Sequence, residues 1–274
     1  MESPADAVAR LAAEMDALAS PSAAAPAPSP RPTGYFDATK TATYGFLAAL
    51  PLFVLYEVGV LLANPGSGGQ IRVGADVWLK TLLAALGGVG WAAVGAVVLA
   101  IGGYVYWRER ERRPPLVPRY FGLLLVESLV YAVVLAFLVG GTVGALFGGW
   151  LLPDLALAQL SQLGLGLQLA LSIGAGLYEE LVFRVILVGG LFWAIQRIGT
   201  PDRRRAYIIA AVVGAVVFSA VHHIGAFGDP FTLPVFTFRF LFGLALNAVF
   251  LLRGFALAAW THALYDVLVV TGGL

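Results

Sequence analysis

The chain has 274 residues, of which 59% are hydrophobic and only 12% charged, with a net charge of +1 and a mean hydropathy of +0.86. Soluble domains carry roughly 25% charged residues, so the composition excludes a water-soluble globular protein, and the near-neutral balance gives no field to attract nucleic acid. With no cysteine in the sequence, disulfides, thiolate catalysis and Cys-held zinc or iron–sulfur centres are excluded as well.

In chain order, residues 1–39 read as an N-terminal arm and linker, disordered or weakly amphipathic. Val8, Leu11, Ala12, Met15 and Leu18 share one side of a modest helical period, and SPSAAAPAPSPRPTG at 20–34 has too few large apolar groups to pack. The short basic region and apolar core of a cleavable signal peptide are missing, so insertion is expected to begin with the first spanning helix. Residues 40–274 read as an all-α polytopic membrane domain, a bundle of about 7–8 transmembrane helices. The apolar runs are continuous and about 20 residues long rather than alternating, which points to helices and not to a barrel. Candidate spans fall at 42–63, 82–106, 120–149, 165–196, 207–224, 235–252 and 255–271. The third and fourth are long enough to tilt, break or hold an extra short helix.

Two connections are rich in arginine, RERERRPPLVPR at 108–119 and RIGTPDRRR at 197–205. Basic loops stay in the cytoplasm, and the even number of spans between these two lets both do so. The expected arrangement has the N-terminus inside, residues 64–81 and 225–234 outside, and the protein in the cell (cytoplasmic) membrane. The apolar loop AFGDPFTLPV at 226–235 is expected at the outer interface.

The chemistry lies in the second half of the chain, at 165–270. Ionisable groups in hydrocarbon cost a few kcal/mol each, and they usually face a bundle interior where they act. Glu179 and Glu180 are followed by Arg184 in EELVFR. On a helix Glu180 and Arg184 stack at four residues' spacing, Glu first, the favourable order, while Glu179 points about 100° away. One carboxylate is thereby tied to an arginine and the other left to handle a proton; a buried Arg–Glu pair can equally serve only to lock helices. His222 follows Phe218 by one turn in FSAVH, so the ring can wedge the imidazole. His223 points elsewhere and reads as a core histidine satisfied by a neighbouring carbonyl or hydroxyl. His262 and Asp266 form a further pair four residues apart in HALYD. The carboxylate there can orient the imidazole, or the pair can be a single helix-stabilising contact.

These three motifs, in this order and each in a spanning segment, resemble those of the CPBP family (CAAX proteases and bacteriocin-processing enzymes, also called Abi), marked by EExxxR, FxxxH and an HxxxN-like motif. The resemblance covers about residues 165–270. It implies an intramembrane glutamic protease, some members of which remove the last three residues of prenylated CAAX proteins. By position, Glu179 would activate the attacking water with His222 sharing it, His262 and Asp266 would bind the oxyanion, and Glu180 with Arg184 would be a structural pair. Asp266 departs from the asparagine usual in the prenyl-protein branch, and an ionised carboxylate cannot donate to an oxyanion. It must be protonated there, orient His262, or mark altered chemistry.

The expected partners are the lipid bilayer and a membrane-bound protein or peptide substrate, with no nucleic acid, and no cofactor is implied. A zinc hydrolase is a competing reading, since Glu179, His222, His262 and Asp266 include zinc ligands, although there is no HExxH helix. A non-catalytic reading is an immunity or scaffold factor, or a proton-coupled carrier with Glu57 and Glu127 as relay members. Arg239, near the outer end of its span, is expected to snorkel to headgroups, and Asn247 to make an interhelical hydrogen bond.

Overall fold

The computed structural model describes residues 34–64, 70–87, 90–148, 162–199, 202–225 and 228–273. Residues 1–33 of the arm expected at 1–39, and residues 149–161, lie outside the described residues, and Tyr35–Thr39, read as part of that arm, form a short helix. Among the described residues the secondary structure is helical, with no strand. In chain order the helices are α1 (Tyr35–Thr39), α2 (Ala42–Ala63), α3 (Gly74–Ala85), α4 (Gly90–Arg108), α5 (Pro118–Phe147), α6 (Leu165–Glu180), a π-helical stretch (Leu181–Val188), α7 (Gly189–Ile198), α8 (Arg203–Val221), α9 (Leu233–Arg253) and α10 (Phe255–Val270). Five helical runs are long and apolar enough to cross a membrane: α2, α5, Leu165–Ile198, α8 and α9. Ala93–Arg108 and α10 are shorter apolar helices. The chain is an all-α polytopic membrane bundle. Leu62, Leu99 and Ile198 are among its most exposed large side chains, a surface that only lipid tails satisfy.

The span expected at 82–106 is two helices instead. Gly87 adopts φ +84°, the left-handed conformation that ends a helix and that glycine enters without a Cβ clash. It closes α3 before α4 begins, so α3 is a short helix at one end of the bundle. The long fourth run contains the π-helical stretch, where backbone hydrogen bonds close over five residues; the N–H of Gly189 donates to the carbonyl of Arg184. Such stretches are rare and concentrate at functional sites.

Cross-chain contacts fix two ends. At the first, Glu109 at the end of α4 accepts hydrogen bonds from the backbone of Ala42 and Thr43 and from the Thr43 hydroxyl at 2.8, 2.9 and 2.6 Å. It thus satisfies N–H groups that the start of α2 leaves without intrahelical partners. The Tyr44 hydroxyl donates to Pro115 O and accepts from Val117 N, both at 2.9 Å. Arg253 grips Glu127 with two hydrogen bonds of 2.6 and 2.9 Å and reaches Phe36 O and Thr39. Glu127, a candidate relay member, is therefore an anchor between α5 and α9. The Tyr207 hydroxyl donates to Asn247 O at 2.8 Å, which sets the start of α8 beside the end of α9. Asn247 Nδ2 in turn donates to Ala211 O at 3.0 Å, the expected interhelical bond. At the opposite end, Gly166 faces Ala63, and the Ser219 hydroxyl donates to Phe236 O at 2.7 Å. Both arginine-rich connections sit at the first end.

Candidate active site

Small residues bring the motif helices together. A Cβ on Gly176 would lie 2.5 Å from Ala259 O and 2.6 Å from Ala263 N, and one on Gly174 would lie 2.3 Å from the Tyr56 ring. Glycine at these positions of SIGAG lets α6 press against α10 on one side and α2 on the other, as small residues do in membrane bundles. The close approach carries Glu180, one turn further along, onto His262. Gly243 on α9 likewise leaves room for Phe218; a Cβ there would lie 3.1 Å from the ring.

Glu179, His222, His262 and Asp266 all line one cavity of about 460 Å³. His222 caps the C-terminus of α8 rather than lying within it. Its Nδ1 is 2.6 Å from Phe218 O, a distance that requires Nδ1–H to donate to the carbonyl. In the neutral ring this leaves Nε2 as an acceptor, and Nε2 lies 3.4 Å from Glu179 Oε2. Two acceptors facing each other do not bond directly, but a water molecule placed beside them in the cavity can reach both. Phe218, 2% exposed, is the wedge. Its ring makes edge contacts with His222 at 4.5 Å and His262 at 6.1 Å, and Arg184 stacks over it at 4.5 Å.

Glu180 has more work than a structural pair. Its Oε1 lies 3.0 Å from Arg184 Nη1 and 2.7 Å from His262 Nδ1, so one carboxylate neutralises the guanidinium and orients the imidazole. Glu180 and Arg184 are completely buried, with 0% and 1% exposure. His262 Nδ1–H donates to Glu180, which turns Nε2 towards Asp266, 3.6 Å from its Oδ2. That separation is an ion-pair distance and too long for a hydrogen bond. Asp266 and Glu180 flank the two nitrogens of one ring.

The cavity rim brings in residues that the sequence reading left aside. Arg239 does not snorkel to headgroups; it pairs with Asp229, its Nε donating to Oδ2 at 2.7 Å, and both line the cavity. The loop after α8 makes this partner available. Gly225 turns with φ +96°, and a Cβ on Gly228 would strike His223 and Ile224 backbone at 2.9 Å. Asp229 N then donates back to His222 O at 2.8 Å. His223 accordingly faces away from Glu179, its Nδ1 3.0 Å from Asp229 O and its ring stacked on Phe236. Across the rim, Arg72 pairs with Glu57 and, at 2.6 Å, with Asp76. Lys80 pairs with the same two acids at 2.7 and 2.8 Å, and the hydroxyls of Tyr56 and Tyr178 donate to Asp76 and Glu57 at 2.8 and 3.1 Å. Glu57 is thus held by two cations. The i, i+4 steps of Arg72, Asp76 and Lys80 were the available signal, hidden because the stretch reads as a loop outside the membrane.

Tyr265, which HALYD alone does not require to point inward, also belongs to the cavity wall. It is 4% exposed and lines the cavity, its ring lies 4.4 Å from that of Phe242, and its hydroxyl has no hydrogen-bond partner among the described residues. A buried hydroxyl in that condition calls for an explanation. Among the described residues, no three His, Asp or Glu side chains are arranged to hold a metal ion.

Comparison with known proteins gives one match. Residues 160–268 fit the family model described as Type II CAAX prenyl endopeptidase Rce1-like, a stretch that spans all three motifs and bears out the resemblance read from them. No curated protein and no solved structure matches the chain.

Proposed function

We propose that the protein is an intramembrane glutamic endopeptidase that hydrolyses a peptide bond in a membrane-associated protein. The observation that carries this reading is the Glu179–His222 pair, two acceptors 3.4 Å apart in the wall of a cavity with His262 and Asp266 on it. A water beside the pair, within reach of both, loses a proton to the Glu179 carboxylate as its oxygen attacks the peptide carbonyl, while Nε2 of His222 holds its second hydrogen. The proton on Glu179 then passes to the leaving nitrogen. Such positioned acid–base transfer contributes roughly 10²–10⁴-fold to a rate.

The developing oxyanion needs donors. In this reading His262 supplies one through Nε2–H in its doubly protonated form. The Tyr265 hydroxyl supplies the other, which relieves Asp266 of a task its ionised form cannot perform. Asp266 then positions His262. Tyr265→Phe is expected to lower kcat roughly 10²–10³-fold with little change in KM, the usual loss for one oxyanion donor. Steady-state kinetics in detergent or nanodiscs checks this, and an unchanged kcat removes Tyr265 from the mechanism. Asp266→Asn is expected to keep activity within about tenfold of the parent, because the amide oxygen still presents partial negative charge to His262 and the amide N–H can donate to the oxyanion. Asp266→Ala, with neither capacity, should fall well below it.

The test of the reaction itself is hydrolysis of a membrane-anchored reporter by purified protein, read by mass spectrometry, with chelator present and absent. Activity that survives chelation supports the glutamic mechanism; activity that requires an added metal ion would move the reading to a zinc hydrolase.

A further inference from the structure

We infer that Asp229 and Arg239 are positioning residues for His222: their ion pair holds the end of α8 in the shape that presents Nε2 to the cavity as an acceptor. The task of that nitrogen rests on the peptidase reading above; the restraint rests on the contacts alone.

His222 stands where a helix gives the least hold. The last turn of α8 tightens, and the N–H groups of His222, His223 and Ile224 donate to the carbonyls of Ser219, Ala220 and Val221, three residues back, at 3.2, 3.1 and 3.2 Å. A regular α-helix sends the N–H of residue 222 to the carbonyl four residues back, here that of Phe218. The tightening releases this carbonyl, and the imidazole takes it, with Nδ1 at 2.6 Å. The tautomer of His222 thus depends on the shape of one turn at a helix end. Such ends fray unless something ties them.

Asp229 is the tie. Gly225 turns the chain with φ +96°, a backbone angle that glycine adopts without strain. Asp229 N then donates to His222 O at 2.8 Å, while Asp229 O lies 3.0 Å from His223 Nδ1. One residue therefore holds the carbonyl of His222 and the ring of its neighbour. The Asp229 side chain is 4% exposed, and its Oδ2 accepts from both Nε and Nη2 of Arg239, the former at 2.7 Å. Two donors on one planar group fix a carboxylate more tightly than a single ammonium does.

Arg239 in turn stands on a fixed platform. The Ser219 hydroxyl of α8 donates to Phe236 O of α9 at 2.7 Å, and Gly243 packs against Phe218 and Ala215. The restraint runs from α9 through Arg239 and Asp229 to the backbone of His222. Neither residue needs to touch the substrate to affect the reaction.

Histidine nitrogen NMR reads this restraint directly. The chain has three histidines, so isotope-labelled histidine in the full chain in nanodiscs gives separable signals. The set lost in His222→Gln is that of His222. With the ring neutral, the parent should show one His222 tautomer, protonated at Nδ1 and bare at Nε2. Arg239→Gln should replace it by an average of both tautomers and leave the His262 set in place. The same variant should lower kcat on the reporter roughly 10²-fold, the loss that about 1 Å of misplacement brings, with KM little changed. Should Arg239→Gln fail to fold, joining it to Asp229→Asn cuts the same link without stranding a charge and carries the same expectation. Unchanged His222 signals in the folded variant overturn the inference. A loss confined to KM also overturns it, by making Arg239 a substrate contact. The tautomer does not depend on turnover, so failure of the peptidase reading, scored separately with Glu179→Gln, leaves the spectroscopic result intact.

Discussion

Glu179→Gln is expected to reduce peptide hydrolysis by roughly 10²–10⁴-fold, to the level reached without a general base, while leaving the thermal midpoint of the purified protein close to that of the parent. The amide is nearly isosteric and keeps an acceptor towards the cavity, but it cannot take a proton from water. Stability is spared because Glu179 is the less buried of the two acids. Its side chain retains 15% exposure, and its Oε2 accepts no hydrogen bond among the described residues. Parallel measurement of reporter cleavage and of unfolding in detergent separates the two effects. Full activity in this variant would sink the glutamic mechanism; lost activity with a large fall in midpoint would show that Glu179 holds the fold instead.

The adjacent residue should behave oppositely. Glu180→Leu leaves the Arg184 guanidinium buried at 1% exposure with its carboxylate gone, and breaking one partner of a buried ion pair costs about 3–5 kcal/mol. Expression and thermal midpoint should fall sharply. Adding Arg184→Met removes the stranded charge, and apolar replacement of a whole buried pair is often neutral or stabilising. Much of the lost stability should return in the double variant. Activity should not, because His262 Nδ1 has lost the acceptor that sits 2.7 Å away. A double variant that is both stable and fully active would reduce Glu180 to a packing role.

The contrast between neighbours was partly legible in the sequence. The 100° step between adjacent helical positions separates Glu179 from Glu180, and the four-residue step pairs Glu180 with Arg184, whose ion pair is present at 3.0 Å. The convergence of acid, imidazoles and Asp266 on one cavity came from motif order and resemblance, since spacing within a helix says nothing about its neighbours. The link from Glu180 to His262 was illegible for that reason; it spans 82 positions and depends on the close packing permitted by Gly176. The π-helical stretch at Leu181–Val188 was illegible too, because its composition, LVFRVILV, is that of any apolar helix. Arg239 was misread because snorkelling was weighed without Asp229, which arrives from a loop. The helix count survived better than its boundaries. Periodic apolar length finds spans, whereas Gly87 ends α3 through its backbone angle and not through hydropathy.

The depth of the cavity also has an electrical consequence. A recess that admits solvent to the depth of His262 and Phe242 would leave the hydrocarbon barrier beyond it as the main insulator, so the membrane voltage would fall largely across the closed part of the bundle. Moving a unit charge through the whole field is worth about 2.3 kcal/mol per 100 mV; protons exchanging between Glu179 and the recess cross little of it. Phe218 and Phe242 line the recess, and Arg184 stacks over the Phe218 ring, so the buried Glu180–Arg184 pair lies behind the cavity wall. Besides any part in chemistry, such a wall would limit proton leak through the bundle.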